Sequence, residues 1–417
     1  MVLPFSKEKL LEIISEYPTP LYIYDESGII RVAQSLNDAF SWMPGYKNFY
    51  ASKALPNPAI HKILNKETGM GIDVSSMAEL MLAEKAGFIG EEIMFSSNDT
   101  ALEEFEKATE LGAIINFDDI KLVDFYLDNF SEYPDILCVR YNPGDSRSSG
   151  GNDIIGNPAD AKYGATYEQI MYAYKAAKDA GVTRFGIHTM MVSNELREEA
   201  LVETATLMFS LASELKDELE IELEFINLGG GFGINYGDPR EDNFHELEPE
   251  KVSQGIKQEY DKYFPSDYRP NVVTENGRFV TGPNGFLILK VRHLKETYKH
   301  YVGTDGSMAD LMRPGMYGAY HHISILGKED QIGDEIYDIV GSLCENNDKF
   351  AIDRRLPQVE IGDILIVHQA GAHAHAMGFN YNGKLRSAEV LLRSDGSFDQ
   401  IRRAEAYSDL FATLDLL

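Results

Sequence analysis

The chain has 417 residues, a hydrophobic content of 44%, a charged content of 25% and a formal net charge of −29. This length suits two domains, or one large barrel with an additional domain, and the composition is typical of globular proteins. A surface so negative repels nucleic-acid phosphates, so we expect no nucleic-acid partner. The sequence has no run of 18 apolar residues that would predict a membrane span. Its two cysteines, Cys138 and Cys344, suit a reducing cytoplasm better than a disulfide framework.

The N-terminal part of the chain predicts a short helix after Ser6 and a short strand, LYIYD, at 21–25. From residue 49 onward, short runs of β-branched and aromatic residues alternate with helical patterns. Eight strand–helix repeats over about 230 residues predict a (β/α)8 TIM-like barrel, which we place at 26–280. A doubly wound open sheet is the competing interpretation, although it usually needs fewer strands. The predicted strands are 49–53, 72–76, 93–97, 114–118, 136–142, 185–191, 225–230 and 272–277.

After residue 280 the helical periodicity nearly disappears and short strands separated by turn residues follow. This pattern predicts an all-β domain, a β-barrel or sandwich, over 281–417, to which residues 1–25 would add a strand. The fold class is therefore α/β, with a TIM-like barrel followed by a β-domain. The predicted strands lie at 286–297, 300–305, 321–326, 335–343, 363–370 and 387–393.

Lys53 ends the first predicted barrel strand, and active sites of such barrels lie at the C-terminal ends of the strands. A lysine that extends to solvent is the simpler explanation of this residue taken alone. The loops after strands seven and eight often bind phosphate, and here they read GGGFG (229–233) and ENGR (275–278). Glycine lets backbone N–H groups approach a phosphate closely, and Arg278 would add a charge-assisted contact. A glycine loop in the seventh repeat argues against a dinucleotide fingerprint, which belongs in the first.

A lysine and a phosphate loop in one barrel mouth suggest pyridoxal 5'-phosphate. Its ring nitrogen needs an acid, and Glu275 follows the eighth strand. His188 and Asp73 also lie near strand ends. Each residue alone is better explained as a capping carboxylate or a core histidine, but their common position at strand ends favours a cofactor site.

The chain resembles the diaminopimelate and ornithine decarboxylases, pyridoxal-phosphate enzymes of the alanine-racemase fold. The resemblance runs in order over nearly the whole length, and the run GSLCE with its following NYN is closer to the diaminopimelate branch. The matching segments are FYASKA (49–54), GIDVSSMAEL (71–80), FGIH (185–188), LGGGFG (228–233), ENGR (275–278), RPGMY (313–317), GSLCENND (341–348), GDILIV (362–367) and AMGFNYNG (376–383).

The resemblance implies a role for each matched residue. Lys53 would attach the cofactor covalently, His188 would stack on its ring, and Cys344 would protonate the carbanion. Cys344 and Glu345 would reach the barrel of a partner subunit, which implies a homodimer with shared active sites. The cofactor-binding residues implied are Lys53, Asp73, His188, Gly230, Gly231, Glu275, Gly277, Arg278 and His373. The substrate-binding residues implied are Arg278, Arg313, Tyr317, Glu345 and His373, and no metal ligand is implied.

The chain departs from the family pattern at three places. Asn276 replaces a proline, and the residues after His188 read TMMVSN (189–194), without the usual serine contact unless Thr189 or Ser193 supplies it. The family's Gly-Ala-Tyr is Gly-Ala-His, with His373 in the place of the tyrosine. His373 and His375 would share one face of a strand, so a metal site is an alternative, although no third ligand is evident.

These observations predict a decarboxylase that converts meso-diaminopimelate to L-lysine and carbon dioxide in the cytoplasm. The same chemistry on another substrate is the main alternative: a D-amino acid, ornithine, lysine, or a carboxylated polyamine or siderophore precursor. A non-catalytic relative that binds the cofactor is a further alternative, although Lys53 and Arg278 are both present. A racemase is disfavoured, because it would lack the cysteine–glutamate pair at 344–345.

Overall fold

The structure, a computed structural model, describes residues 3–144, 160–238, 241, 244–265, 267–331 and 333–415. The chain folds into two compact units. The barrel unit comprises Val32–Ile234 and Glu246–Phe279, and the β unit comprises Met1–Arg31, Asn235–His245 and Val280–Leu417. The sequence prediction had left residues 235–245 within the barrel domain, whereas they belong to the β unit.

The described α-helices are α1 (Lys7–Glu16), α2 (Glu26–Ala39), α3 (Pro58–Thr68), α4 (Met77–Ala86), α5 (Leu102–Glu110), α6 (Ile120–Phe130), α7 (Tyr167–Asp179), α8 (Glu198–Leu219), α9 (Pro249–Tyr263), α10 (Arg278–Thr281), α11 (Arg313–Tyr317) and α12 (Tyr407–Leu410). None of these helices is long and apolar enough to cross a membrane.

The described strands are β1 (Leu21–Asp25), β2 (Lys47–Ala51), β3 (Gly71–Val74), β4 (Ile93–Phe95), β5 (Ile114–Phe117), β6 (Leu137–Tyr141), β7 (Phe185–Thr189), β8 (Phe225–Asn227), β9 (Asn271–Thr274), β10 (Gly285–Glu296), β11 (His300–Thr304), β12 (Ile323–Ile325), β13 (Glu335–Val340), β14 (Lys349–Leu356), β15 (Ile364–Val367), β16 (Ala388–Leu392) and β17 (Phe398–Arg402).

Strands β2 to β9 close into a parallel barrel, which confirms the predicted (β/α)8 fold. Every residue of β3, β5 and β7 is buried, as expected where helices cover a parallel sheet. Pairing of Lys47 with Val273 joins β2 to β9 and completes the ring. The C-terminal ends of all eight strands therefore meet at one rim of the barrel.

Side-chain caps begin several of the helices that follow the barrel strands. Asn57 accepts from the N–H of Ala59 at the start of α3, and Ser76 accepts from the N–H of Glu79 at the start of α4. These caps satisfy N–H groups that have no partner within the helix. They also define where each strand-to-helix loop ends, and so restrict the loops that carry the site residues.

The β unit is built on a nine-stranded sheet in the order β14-β13-β11-β10-β1-β16-β17, with β15 pairing with β10 and β12. Strand β1 lies antiparallel to β10 and parallel to β16, so the N-terminal strand joins this sheet as predicted. The sequence prediction missed β14 and β17. Both contain several charged residues, and their burial does not alternate regularly along the strand, which obscures the alternation of apolar and polar side chains.

Candidate active site

A buried carboxylate, Glu275, lies directly after β9 at the centre of the barrel rim. Its Oε1 accepts hydrogen bonds from Asn227 Nδ2 at 2.7 Å, Asn116 Nδ2 at 3.2 Å and Ser96 Oγ at 3.2 Å. Its Oε2 lies 3.1 Å from His188 Nε2, which must carry the proton because a carboxylate only accepts. Four donors from four strands or strand ends thus converge on one buried side chain.

Two buried carboxyl groups of the barrel have pKa values that are shifted in opposite directions. Burial disfavours the charge of Glu275, but the charge and hydrogen bond of His188, together with Lys53, lower its pKa to about 2. The pKa of Asp73 lies well above its ordinary value, because of burial and then the nearby charge of Glu275. Among the described residues, Asp73 Oδ1 is also buried without a hydrogen-bond partner. Glu275 is therefore an anion at neutral pH, whereas burial and the Glu275 charge favour the neutral form of Asp73.

Lys53 does not end a strand, contrary to the sequence prediction. Strand β2 stops at Ala51, and Lys53 is the middle residue of a 3₁₀ turn, Ser52–Ala54. The turn rotates the side chain out of the barrel wall, so the lysine is exposed rather than buried. Its charge still acts on the barrel carboxyls, since it lowers the pKa of both Asp73 and Glu275.

The glycines after β8 pack closely against neighbouring backbone. Gly229 and Gly231 have φ values of +68° and +104°, which favour glycine. A Cβ atom on Gly231 would lie 2.6 Å from Val192 Cγ2, and one on Gly230 would lie 2.6 Å from the carbonyl oxygen of Glu275. The loop therefore leaves no room for side chains beside the buried acid.

The segment after β9 lies against the turn that carries Lys53. A Cβ atom on Gly277 would lie 2.9 Å from the Cβ of Ala54 and 3.0 Å from that of Ala51. Arg278 follows as the first residue of α10 and is half-buried. The proposed attachment lysine and the proposed phosphate arginine thus belong to adjacent segments.

Asn276 has a structural role that the family's proline could not fill. Its backbone N–H donates to Asn48 Oδ1 at 2.8 Å, and proline has no such donor. Its side-chain Oδ1 accepts from the N–H of Phe232 at 3.1 Å. Asn276 therefore ties the two glycine-bearing segments together.

The segment after His188, which departs from the family pattern, is held by its own hydrogen bonds. Thr189 is fully buried, and its hydroxyl donates to the carbonyl of Tyr141 at 3.0 Å. Asn194 has a φ of +53°, and its Oδ1 accepts from the N–H of Ile234 at 3.1 Å. Ser193 is half-buried. The Thr189 hydroxyl proton is thus used within the barrel.

The β unit contributes a buried arginine at the start of α11. Arg313 is 7% exposed, and its guanidinium carbon lies 4.3 Å from the ring centre of Tyr236. Its Nη1 lies 3.1 Å from His321 Nε2. Tyr317, at the other end of α11, is 64% exposed. Of the two predicted substrate residues of this helix, Arg313 is thus buried within the unit and Tyr317 is exposed.

Cys344 and Glu345 lie in an exposed loop between β13 and β14. The N–H of Cys344 donates to Asn382 Oδ1 at 2.6 Å. Asp348 is buried and accepts from the N–H groups of Leu343 at 2.7 Å and Met308 at 2.6 Å. These bonds restrict the backbone of the loop while its thiol and carboxylate face outward.

His373 and His375 do not share a strand face, so the strand-based argument for a metal site is wrong. His373 is half-buried in a turn with a φ of +51°, and His375 begins a 3₁₀ turn, His375–Met377. His375 is buried between Arg386 and the carbonyl of Ser387. Among the described residues, no three His, Cys, Asp or Glu side chains are grouped to hold a metal ion.

Sequence reasoning missed three residues that surround Glu275, namely Ser96, Asn116 and Asn227. A signal was present, because Asn116 and Asn227 are amides within the otherwise apolar strands β5 and β8. A buried amide requires a hydrogen-bond partner. The sequence could not identify that partner, which is 159 residues from Asn116 and 48 from Asn227.

The barrel residues fit pyridoxal phosphate by their chemistry. A buried carboxylate that stays ionised suits a protonated ring nitrogen, and the exposed amine of Lys53 suits an aldehyde. The glycine loop and Arg278 suit a phosphate. His188 Nδ1 is buried without a hydrogen-bond partner in the described part of the chain, so this ring nitrogen remains available to a bound ligand.

Comparison with known proteins agrees with this assignment. Residues 27–282 match the family model described as "Pyridoxal-dependent decarboxylase, pyridoxal binding domain". The chain is 42% identical to Protein TabA of Pseudomonas amygdali pv. tabaci, over 95% of this chain and 91% of that protein. It is 33% identical to the diaminopimelate decarboxylase of Methanothermobacter thermautotrophicus, over 96% of this chain and 92% of that protein.

Solved structures are similar over nearly the whole chain. The diaminopimelate decarboxylase of M. jannaschii in complex with L-lysine has a TM-score of 0.88 at 31% identity, covering 98% of this chain and 94% of that one. The Helicobacter pylori diaminopimelate decarboxylase, also with L-lysine, has a TM-score of 0.85 at 26% identity, covering 97% and 98%. Both units thus have counterparts in these structures.

Proposed function

We propose that this chain, which belongs to the diaminopimelate decarboxylase family of pyridoxal-phosphate-dependent carboxy-lyases, converts meso-diaminopimelate to L-lysine and carbon dioxide. The chain is an amino-acid decarboxylase by its family, and the substrate is the proposed part. The observation that carries the proposal is Arg313, a buried guanidinium group stacked on Tyr236. A buried arginine of this kind is suited to a carboxylate, which diaminopimelate has at both ends.

The barrel residues have distinct tasks in the proposed reaction. Pyridoxal phosphate, when bound, accepts the electron pair that remains when the bond to carbon dioxide breaks. Glu275 would hold a proton on the ring nitrogen, because its carboxylate remains ionised at neutral pH. Lys53 would provide the amine that attaches the cofactor, and His188 would pack on the ring. Arg278 and the glycine loop would hold the phosphate.

The β unit provides the residues for the remote end of the substrate. Arg313, with Arg278 and Tyr317, binds the distal carboxylate, and Glu345 binds the distal ammonium group. Cys344 delivers a proton to the carbon that has lost carbon dioxide. We propose that Cys344 and Glu345 serve the barrel of a second copy, so that a homodimer shares its active sites. Because proton donation requires a free thiol, a reducing compartment such as the cytoplasm suits the reaction.

The test is release of carbon dioxide from meso-diaminopimelate by the protein with added pyridoxal phosphate. The expected result is one L-lysine formed per carbon dioxide. Lys53→Ala is the control, and it should abolish both turnover and the visible absorbance of the bound cofactor. A protein that binds the cofactor yet releases no carbon dioxide would contradict the proposed substrate while leaving the cofactor site intact.

The same chemistry on another substrate is the second candidate. It is favoured by the half-buried His373 in the place of the family's tyrosine and by the altered segment after His188. A panel of D-amino acids, ornithine, lysine, carboxylated polyamines and siderophore precursors tests it directly. A larger kcat/KM for any of these than for meso-diaminopimelate would favour this candidate.

A further inference from the structure

The guanidinium group of Arg313 is held in one plane by two neighbours within the β unit. The face of Tyr236 lies 4.3 Å away, and His321 Nε2 lies 3.1 Å from Nη1. The Tyr236 and His321 rings also contact each other, with centres 4.9 Å apart. Stacking restricts the tilt of the guanidinium plane, and the hydrogen bond restricts its rotation.

The hydrogen bonds of His321 determine which of its nitrogens carries the proton. His321 Nδ1 lies 2.9 Å from the carbonyl oxygen of His368, which only accepts, so Nδ1 carries a hydrogen. Arg313 Nη1 only donates, so Nε2 must accept. The neutral ring with hydrogen on Nδ1 is the one state that satisfies both bonds. His321 is fully buried, so water does not compete for either nitrogen.

The backbone around His321 is also held firmly. Its carbonyl accepts from Arg354 Nη1 at 2.7 Å, and the guanidinium carbon of Arg354 lies 3.9 Å from the ring centre of Tyr320. The next carbonyl, that of His322, accepts from the N–H of His368 at 2.9 Å. The acceptor that faces Arg313 therefore belongs to a segment, just before β12, that is hydrogen-bonded to β14 and to the residue after β15.

We propose that His321 is a positioning residue that orients Arg313, and that the pair selects ligands with a carboxylate remote from the reacting carbon. The inference rests on the proposed function, which assigns Arg313 to that carboxylate. A neutral imidazole orients the guanidinium group without adding negative charge, whereas an aspartate or glutamate at this position would compete with the ligand. His321 thus restricts the geometry of Arg313 without bringing a negative charge of its own to the guanidinium group.

The test compares L-lysine with 1,5-diaminopentane, which lacks only the carboxylate, as ligands of the cofactor-loaded protein measured by calorimetry. His321→Asn retains an amide donor for the His368 carbonyl but removes the acceptor for Arg313. We expect it to weaken L-lysine binding roughly 10-fold, with 1,5-diaminopentane changed less than about two-fold. His321→Gln, whose amide oxygen can reach the position of Nε2, should restore most of the preference for L-lysine. His321→Phe, which retains the ring without the acceptor, should behave as His321→Asn does and replaces it if that variant fails to fold.

A double-mutant cycle separates positioning from a structural role. If His321 acts through Arg313, His321→Asn should have no further effect on L-lysine binding in an Arg313→Ala background. Equal weakening of both ligands, or an unchanged loss in the Arg313→Ala background, would overturn the inference. A wild-type protein that binds L-lysine no more tightly than 1,5-diaminopentane would instead contradict the proposed role of Arg313. If His321→Asn keeps the wild-type preference for L-lysine over 1,5-diaminopentane, the positioning role of His321 alone would be overturned.

Discussion

Glu275 shows how single residues of the barrel set the chemistry of the site. Burial alone would favour its neutral form, but His188, Lys53 and Asn227 favour the anion and lower the pKa to about 2. The pKa of Asp73 is raised instead, because burial and the charge of Glu275 outweigh Lys53 and a hydrogen bond from Ser96. The surroundings thus favour a charged Glu275 and disfavour a second charge on Asp73.

Replacing Glu275 with glutamine should separate the charge from the shape of this side chain. The variant retains the volume but loses the anion, so we expect kcat to fall by about 100-fold or more at saturating pyridoxal phosphate. Ser96→Ala is the matched control, because it removes one donor to Glu275 and leaves the carboxylate in place. It should retain activity within about 10-fold. A Glu275→Gln enzyme as active as Ser96→Ala would contradict the role of the anion.

Asp310 predicts a pH dependence of stability in the β unit. Burial raises its pKa from 3.8 to about 6, although Ser387 Oγ and the N–H of Ser307 donate to it. Because the folded state binds this proton more tightly, the group stabilises the fold below about pH 4, and this stabilisation is lost as the pH rises through 6. The contribution is about 3 kcal/mol.

Urea unfolding of wild type and Asp310→Asn between pH 4 and 7 measures this effect. The difference in the free energy of unfolding between the two proteins should change by about 2 kcal/mol across that range, because asparagine does not titrate. The constant offset from altered hydrogen bonds does not affect the slope. If the free energies of unfolding of the two proteins changed in parallel with pH, Asp310 would have the same pKa in the folded and unfolded states.

At the scale of elements, the loop after β8 depends on Gly231 for a reason that differs from that of Gly87, another glycine of the barrel unit with a positive φ. Gly231 and Gly87 have similar φ values, +104° and +98°. A Cβ atom on Gly231 would lie 2.6 Å from Val192. A Cβ atom on Gly87, which follows α4, would have no described atom within 4 Å. The first glycine is required by packing and conformation, and the second by conformation alone.

The two glycines make a matched pair of variants. Gly87→Ala should lower the free energy of unfolding by about 1–2 kcal/mol, because alanine disfavours positive φ. Gly231→Ala should lower it by more, because its Cβ atom would also overlap with Val192. Only Gly231→Ala should weaken pyridoxal phosphate binding, by about 10-fold, since the loop must shift away from Val192. Equilibrium titration with the cofactor measures this. Equal affinities in the two variants would show that the loop does not hold the phosphate.

At the scale of the whole molecule, the residues proposed for one reaction are divided between two units. Lys53, His188 and Glu275 belong to the barrel unit, and Cys344 and Glu345 belong to the β unit. If each active site combines the barrel of one copy with Cys344 of another, two inactive variants can complement each other.

Mixing Lys53→Ala with Cys344→Ala under conditions of subunit exchange tests this arrangement. Half of the dimers would then be mixed, and each would contain one site with both residues intact. Activity should therefore recover to about a quarter of the wild-type level. Each variant alone is the control. A mixture as inactive as its components would contradict shared active sites.

The predicted barrel strands were correct in number and order, and their errors lay mainly at the C-terminal ends. The prediction for β2 continued to Lys53 and that for β8 to Gly230, whereas the strands end at Ala51 and Asn227. Buried residues continue past each strand, so hydrophobicity does not mark where pairing stops. The chain leaves the ladder at these points to present Lys53 and the glycine loop.

The sequence by itself determined the repeat of strands and helices, the lysine, the acid and the glycine loop, because periodicity and motif order are local properties of the chain. It also identified Arg313 and the Cys344–Glu345 pair by family resemblance. Only the tertiary structure decided that Ser96, Asn116 and Asn227 surround Glu275, and that His321 faces Arg313. Such contacts join residues far apart in sequence. Protonation states likewise depend on burial and on charges from other strands, which no local pattern contains.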